Sequence, residues 1–130
     1  MALALTLLLH PMKDGRELAR LALEGTLDTA TAPQLEKELD GVFARPTNLL
    51  VFDLAKLSFL SSGGIRVLLA ARKRVLERGG SCAMVKMQPR IEKTFEIIKA
   101  LDGLMLFKDD EALDAFLGAL QQPAAATSQS

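Results

Sequence analysis

The hydrophobic pattern changes period several times along the chain, and each change marks an element. Residues 2–9 read Ala-Leu-Ala-Leu-Thr-Leu-Leu-Leu, and after a turn signal at Asp14-Gly15 residues 18–23 alternate as Leu-Ala-Arg-Leu-Ala-Leu. Two such runs around a short turn predict a β-hairpin. The second strand is expected to give out at residues 25–28, Gly-Thr-Leu-Asp, where Thr29 and Thr31 offer capping hydroxyls ahead of Pro33. Leu35, Leu39, Val42 and Phe43 then recur at helical spacing as far as Pro46. Leu49-Leu50-Val51-Phe52 is a continuous apolar run, as expected of a strand buried on both faces.

After Leu60-Ser61-Ser62-Gly63-Gly64 a second helix is predicted, with Ile65, Leu68, Leu69, Arg72, Val75 and Leu76 on one face and Gly79-Gly80 as its stop. Residues 82–85 form the next apolar strand. Pro89 opens a helix with Ile91, Phe95, Ile98 and Leu101 turned inward, and Gly103 ends it. Residues 104–107 make a last short strand. Asp109-Asp110-Glu111 places negative charge at the favourable end of a final helix carrying Leu113, Phe116, Leu117 and Leu120. Residues 121–130 read as a disordered tail, so the expected domain spans residues 1–120. A hairpin followed by alternating strands and helices implies an α/β sandwich, a mixed β-sheet of about five strands with about four helices. Its functional surface is expected beyond the carboxyl ends of the parallel strands, at residues 25–31 and 58–64.

Composition narrows the function classes. The 130 residues carry 16 basic and 16 acidic side chains. Such a balance provides no basic field for capturing phosphate backbones, so nucleic acid is not the expected partner. One cysteine, Cys82, and one histidine, His10, cannot build a disulfide framework or a Cys/His metal cluster, and no metal or other cofactor is expected. Cys82 reads as a small apolar core residue and His10 as incidental. The apolar start lacks the basic region and the cleavage pattern of a leader, and no run approaches the roughly 18 residues of a membrane span. The chain is therefore expected to be soluble, without membrane insertion, and at home in a reducing compartment such as the cytoplasm.

The turn of residues 61–64 is the most informative place for chemistry, because it joins a buried strand to a helix whose first N–H groups lack partners. A serine here can cap the helix, or it can carry a phosphate that the helix end solvates. With Ser61 and Ser62 adjacent, the two uses are compatible. A nucleophile elbow has the same strand-turn-helix geometry, but the Gly-x-Ser-x-Gly spacing is missing and the lone histidine lies in the early hairpin. A serine hydrolase is thus a poor reading. The chain also has no Gly-x-x-x-x-Gly-Lys phosphate loop.

The run Asp53-Leu54 through Leu57-Ser58-Phe59-Leu60-Ser61-Ser62-Gly63-Gly64-Ile65-Arg66-Val67-Leu68-Leu69 resembles the signature of STAS domains, the family of bacterial anti-sigma factor antagonists. There a strand ending in Asp-Leu leads to a Ser-Ser-Ala-Gly-Leu-Arg or Asp-Ser-Ser-Gly loop and then a helix. Leu23-Glu24-Gly25-Thr26-Leu27-Asp28 is similar to the family's Gly-x-Leu-Asp segment. The resemblance implies a STAS-like fold and a switchable binding module. Its expected partners are an anti-sigma factor that is a serine kinase of the histidine-kinase-like ATPase type, and a serine phosphatase. Unphosphorylated, such a module binds the kinase and frees a sigma factor; phosphorylation abolishes binding.

Register with the motif implies Ser62 as phosphoacceptor, with Ser61 the alternative where many members carry Asp. Asp28, Thr29, Ser61, Ser62, Gly63, Gly64 and Arg66 are the implied partner surface. Plain structural readings stand beside these: Asp28 as a helix-capping acid, Arg66 as a surface cation, Gly63 as a turn residue or as room for a partner's backbone. Asp53 is expected to end its strand by bonding loop amides. An alternative within the family is a STAS subunit of a lipid-transport or sensory assembly resembling a stressosome.

Overall fold

A computed structural model describes residues 2–13, 15–98 and 103–118. The strands are β1 (Leu3–Pro11), β2 (Glu17–Leu27), β3 (Thr47–Leu60), β4 (Ser81–Val85) and β5 (Met105–Phe107). The helices are α1 (Ala32–Phe43), α2 (Ser62–Glu77), α3 (Pro89–Ile97) and α4, whose described part is 110–118. The strands lie in sequence order, β1 antiparallel to β2 and the others parallel, which is the expected mixed five-stranded sheet.

The sheet has two unlike faces. Leu21, Leu23, Leu50, Phe52, Leu54 and Met84 pack against α1, α2 and α3, including Leu35, Leu39, Ile65, Leu68, Ile91 and Phe95. On the other face Leu18, Leu49, Val51, Ala83 and Val85 meet Leu113 and Leu117 of α4. β3 over residues 49–52 and β4 over residues 82–85 thus bury both faces, as their unbroken apolar runs require, whereas β2 sends only Leu18 into the second cluster.

Two strands run further than expected. β2 continues through Leu27 and β3 through Leu60, because the two stay paired as far as Leu27↔Leu60 across three register irregularities. Gly25 makes this possible: its φ is +103°, and a Cβ there would stand 2.3 Å from the carbonyl oxygen of Ala2. The expected loop of residues 58–64 therefore shrinks to the junction at Ser61. Asp53, expected to end its strand, lies inside β3.

Other departures concern single side chains. Thr31 is the N-cap residue of α1, but its hydroxyl donates to Thr26 O and accepts the Asp28 N–H instead of capping the helix. Leu76 and Ile98, expected inward, are 43% and 42% exposed, and Val67 and Ala71 take inward places on α2. Asp14, Leu101, Leu120 and the expected tail of residues 121–130 lie outside the described residues. Cys82 is buried, as expected, and burial pushes its thiol up to about 12.

Candidate functional site at the carboxyl ends of β2 and β3

The end of β2 is tied through its carbonyls to the end of β3 and the start of α2. Ser61 N–H donates to Leu27 O at 3.0 Å, and Ser58 Oγ donates to Gly25 O at 2.8 Å. Ser61 is extended, with φ −93° and ψ 168°, and its Oγ accepts the Gly64 N–H at 3.1 Å. That is an N-cap, and it gives the two serines different work. Ser62 follows as the first helical residue, exposed, with no hydrogen bond to its hydroxyl among the described residues. The N–H groups of Ser62 and Gly63 sit at the positive end of the α2 dipole.

The glycines beside the serines are explained by contact. A Cβ on Gly64 would lie 2.7 Å from Leu27 O and 2.9 Å from Leu60 Cδ1, so only glycine lets α2 start this close to the strand ends. A Cβ on Gly63 would lie 2.7 Å from Thr29 Oγ1. Thr29 thus occupies the place of a Cβ at Gly63, which accounts for a glycine in this turn. This contact joins the two loops that the sequence placed at one sheet end.

Asp28 belongs to the same corner through its own turn. Its Oδ1 accepts the N–H groups of Ala30 and Thr31, both at 3.0 Å, so the carboxylate organises the entry to α1 while remaining half-exposed. Arg66 is exposed one turn into α2 and pairs with no acid among the described residues, Asp28 included. Thr29 is exposed. Asp28, Thr29, Ser61, Ser62, Gly63 and Gly64 therefore share one sheet end, and Arg66 flanks it.

Two features were not singled out from sequence. Phe59, paired with Thr26 at the end of β3, is 48% exposed and is the one phenylalanine among the described residues left largely open. Its signal is a break in alternation, Ser58 and Phe59 both being exposed between buried Leu57 and Leu60. The other feature is an ion network on the α4 side of the sheet. Arg20 Nη2 bonds Asp53 Oδ2 at 2.9 Å and Asp110 Oδ1 at 2.6 Å, and Lys86 Nζ reaches Asp110 Oδ2 at 2.8 Å. Asp53 Oδ1 accepts the Ala55 N–H at 3.1 Å. Asp53 thereby anchors α4 to the sheet through Arg20 instead of ending β3. Spacing along the chain does not show a cluster drawn from β2, β3, the end of β4 and α4.

The STAS domain profile matches residues 12–112, the whole of the sheet apart from β1 together with the site just described. The chain belongs to the STAS domain family. Among its relatives, BtrV of Bordetella bronchiseptica, named as an anti-sigma factor antagonist, is 33% identical over 84 residues, 65% of this chain and 71% of that protein. The anti-sigma F factor antagonist of Paenibacillus polymyxa is 26% identical over 101 residues, 77% of this chain and 86% of that one. The STAS fold is equally plain in three dimensions. Unphosphorylated SpoIIAA superposes with a TM-score of 0.68 at 22% identity, over 87% of this chain and 97% of its own. The phosphorylated form of Bacillus SpoIIAA gives a TM-score of 0.62 at 20% identity, over 85% and 99%. Among the described residues no three His, Cys, Asp or Glu side chains are placed to hold a metal ion, and no helix is long and apolar enough to cross a membrane.

Proposed function

We propose that this STAS domain is an anti-sigma factor antagonist, a cytoplasmic binding module switched by phosphorylation of Ser62. The observation that carries the reading is the division of labour between the two serines. Ser61 spends its hydroxyl on the helix cap, and Ser62 presents its own to solvent on the first turn of α2. Relatives named as anti-sigma factor antagonists, and the two phosphorylation states of SpoIIAA, support the same reading. The partner is an anti-sigma factor serine kinase of the histidine-kinase-like ATPase type, and a serine phosphatase resets the module. The domain acts by binding, not by catalysis.

The switch is local electrostatics. A phosphate on Ser62 adds about 1.5 to 2 negative charges beside the N–H groups of Ser62 and Gly63, which solvate it in the free domain. In a complex the same group must shed water against the partner, with Asp28 at the same sheet end adding like charge. A difference of about 3 to 4 kcal/mol weakens binding several-hundredfold. No rearrangement of the sheet is needed.

The test is incubation with ATP and the serine kinase of the native host, followed by peptide mass mapping and a binding assay. Phosphate on Ser62, its loss in Ser62→Ala, and release of the kinase on modification are expected. Phosphate on Ser61 alone, or undiminished kinase binding by the modified protein, overturns the reading.

A further inference from the structure

β1 is an edge strand of nine residues, and no element among the described residues pairs with its outer side. From Leu3 to Pro11 it reads Leu-Ala-Leu-Thr-Leu-Leu-Leu-His-Pro, with no lysine, arginine, aspartate or glutamate. Edge strands are ordinarily blunted by charge, a bulge, a covering element or extreme shortness. Here the pairing with β2 runs without a bulge from Leu3↔Gly25 to Pro11↔Glu17. Within the strand only Pro11, at one end, lacks an N–H to offer.

The phase of the ladder fixes which backbone groups are open. Thr26 N–H donates to Ala2 O at 3.1 Å, just outside the Leu3↔Gly25 pair. In an antiparallel ladder that bond makes Leu3↔Gly25 a pair without mutual hydrogen bonds. Ala4, Thr6, Leu8 and His10 therefore turn their N–H and C=O groups toward β2. Leu3, Leu5, Leu7, Leu9 and Pro11 turn theirs outward. Gln34 Nε2 on α1 confirms the phase by donating to Leu3 O at 2.8 Å from outside the ladder.

We propose that the outer edge of β1 is a self-association surface, on which a second copy of this chain pairs its own β1 antiparallel about a two-fold axis at Leu7. This register opposes Leu7 to Leu7 of the second copy, Leu5 to Leu9, and Leu3 to Pro11, and so uses the whole strand. It also matches the two exceptions along the edge. Leu3 O already has its donor in Gln34, and the residue set opposite it, Pro11, has no N–H to offer. Every other outward amide and carbonyl finds a partner. The half-buried Leu5, Leu7 and Leu9, which already lean on the core beside α1, meet their counterparts on the helix face. Leu8, 51% exposed, comes to lie opposite Thr6 on the other face. With no charge on the strand, two copies bring no like charges together. The two β1 strands run in opposite directions, so the Ser62 ends of β2 and β3 fall at opposite ends of a continuous sheet, both open. The dimer is thus compatible with partner binding but does not depend on it.

Sedimentation over a range of concentrations, combined with cysteine crosslinking of the full chain, tests the surface and its register. A concentration-dependent dimer is expected. Leu7→Cys should oxidise to a disulfide-linked dimer, because paired Cα atoms about 5.5 Å apart suit a disulfide. Leu5→Cys should not, since its two copies would be separated by about 13 Å along the strands. Native Cys82 is buried and gives little background. In charge variants kept folded by circular dichroism, Thr6→Lys with Leu8→Lys should dimerise at least tenfold more weakly than Thr6→Lys with Leu8→Glu. A monomer at every concentration, equal crosslinking at positions 5 and 7, or equal dimerisation of the two charge variants overturns the proposal.

Discussion

Gly64 in the first turn of α2 rests against Leu27 at the end of β2. A Cβ added to Gly64 would stand 2.7 Å from the Leu27 carbonyl oxygen and 2.8 Å from its Cγ. Neither can retreat easily: that carbonyl accepts the Ser61 N–H, and the Leu27 side chain is fully buried. Gly64→Ala should therefore destabilise the fold by about 1–3 kcal/mol, as overpacking does elsewhere. In Gly63→Ala the one tight approach is to the Thr29 hydroxyl, which can rotate away, so stability should change by less than about 1 kcal/mol. Urea unfolding of both variants checks the contrast, and equal losses would contradict it.

The two serines should separate in the same assay. Ser61→Ala removes the acceptor of the Gly64 N–H and should cost about 1 kcal/mol. Ser62→Ala removes a solvent-exposed hydroxyl and should leave unfolding unchanged within about 0.5 kcal/mol. A larger loss at Ser62 would mean that its hydroxyl carries structure.

Much of this corner is legible in the sequence, and the reason is local. Strands, helices and the serine-glycine turn follow from periodicity and from residues adjacent in the chain. What is not legible depends on pairing across the sheet. The length of β3 is set by its partner β2 and by the close passage of Gly25 under Ala2. The fate of Asp53 is set by Arg20 and, through it, by Asp110, which lies 90 residues from that arginine. Thr29, Thr31 and Asp28 all fit a capping pattern, and only their contacts assign them. Asp28 holds the turn, Thr31 bridges back to Thr26, and Thr29 faces Gly63.

Asp28 and Phe59 should mark the partner surface through binding more than through stability. Asp28→Asn keeps an oxygen to accept the Ala30 and Thr31 amides, so its melting temperature should stay close to that of the parent while kinase binding weakens. Phe59→Ala deletes a half-exposed ring at the end of β3 and should weaken the same complex by about 2 kcal/mol or more if the ring fills a partner pocket. Isothermal titration alongside thermal unfolding checks both. Undiminished affinity in Phe59→Ala removes that residue from the surface.

The Asp110 ion network makes a prediction about acid. The hydrogen bonds from Lys86 Nζ and Arg20 hold the Asp110 carboxyl below its ordinary value of 3.8, outweighing the opposing effect of burial. A group with a depressed folded-state value binds fewer protons in the native state than in the unfolded one, so its stabilisation is complete above about 3.8 and disappears as pH falls through the folded-state value. Asp110 is about half exposed, at 48%, so solvent screens the pairs and each contributes at most about 1 kcal/mol. Glu17, lowered by its hydrogen bonds from Arg45, shares the direction, which is why a difference between variants is the proper readout. Asp110→Asn should lower stability at pH 7 by about 1 kcal/mol and should lose less than the parent as pH falls from 5 to about 2.5, the two curves converging in acid. Because these bonds tie α4 to β2 and to the end of β4, the amides of residues 110–118 should gain exchange with solvent first as the network protonates. Parallel stability curves for Asp110→Asn and the parent across that range would show that the network carries no acid-sensitive part of the fold.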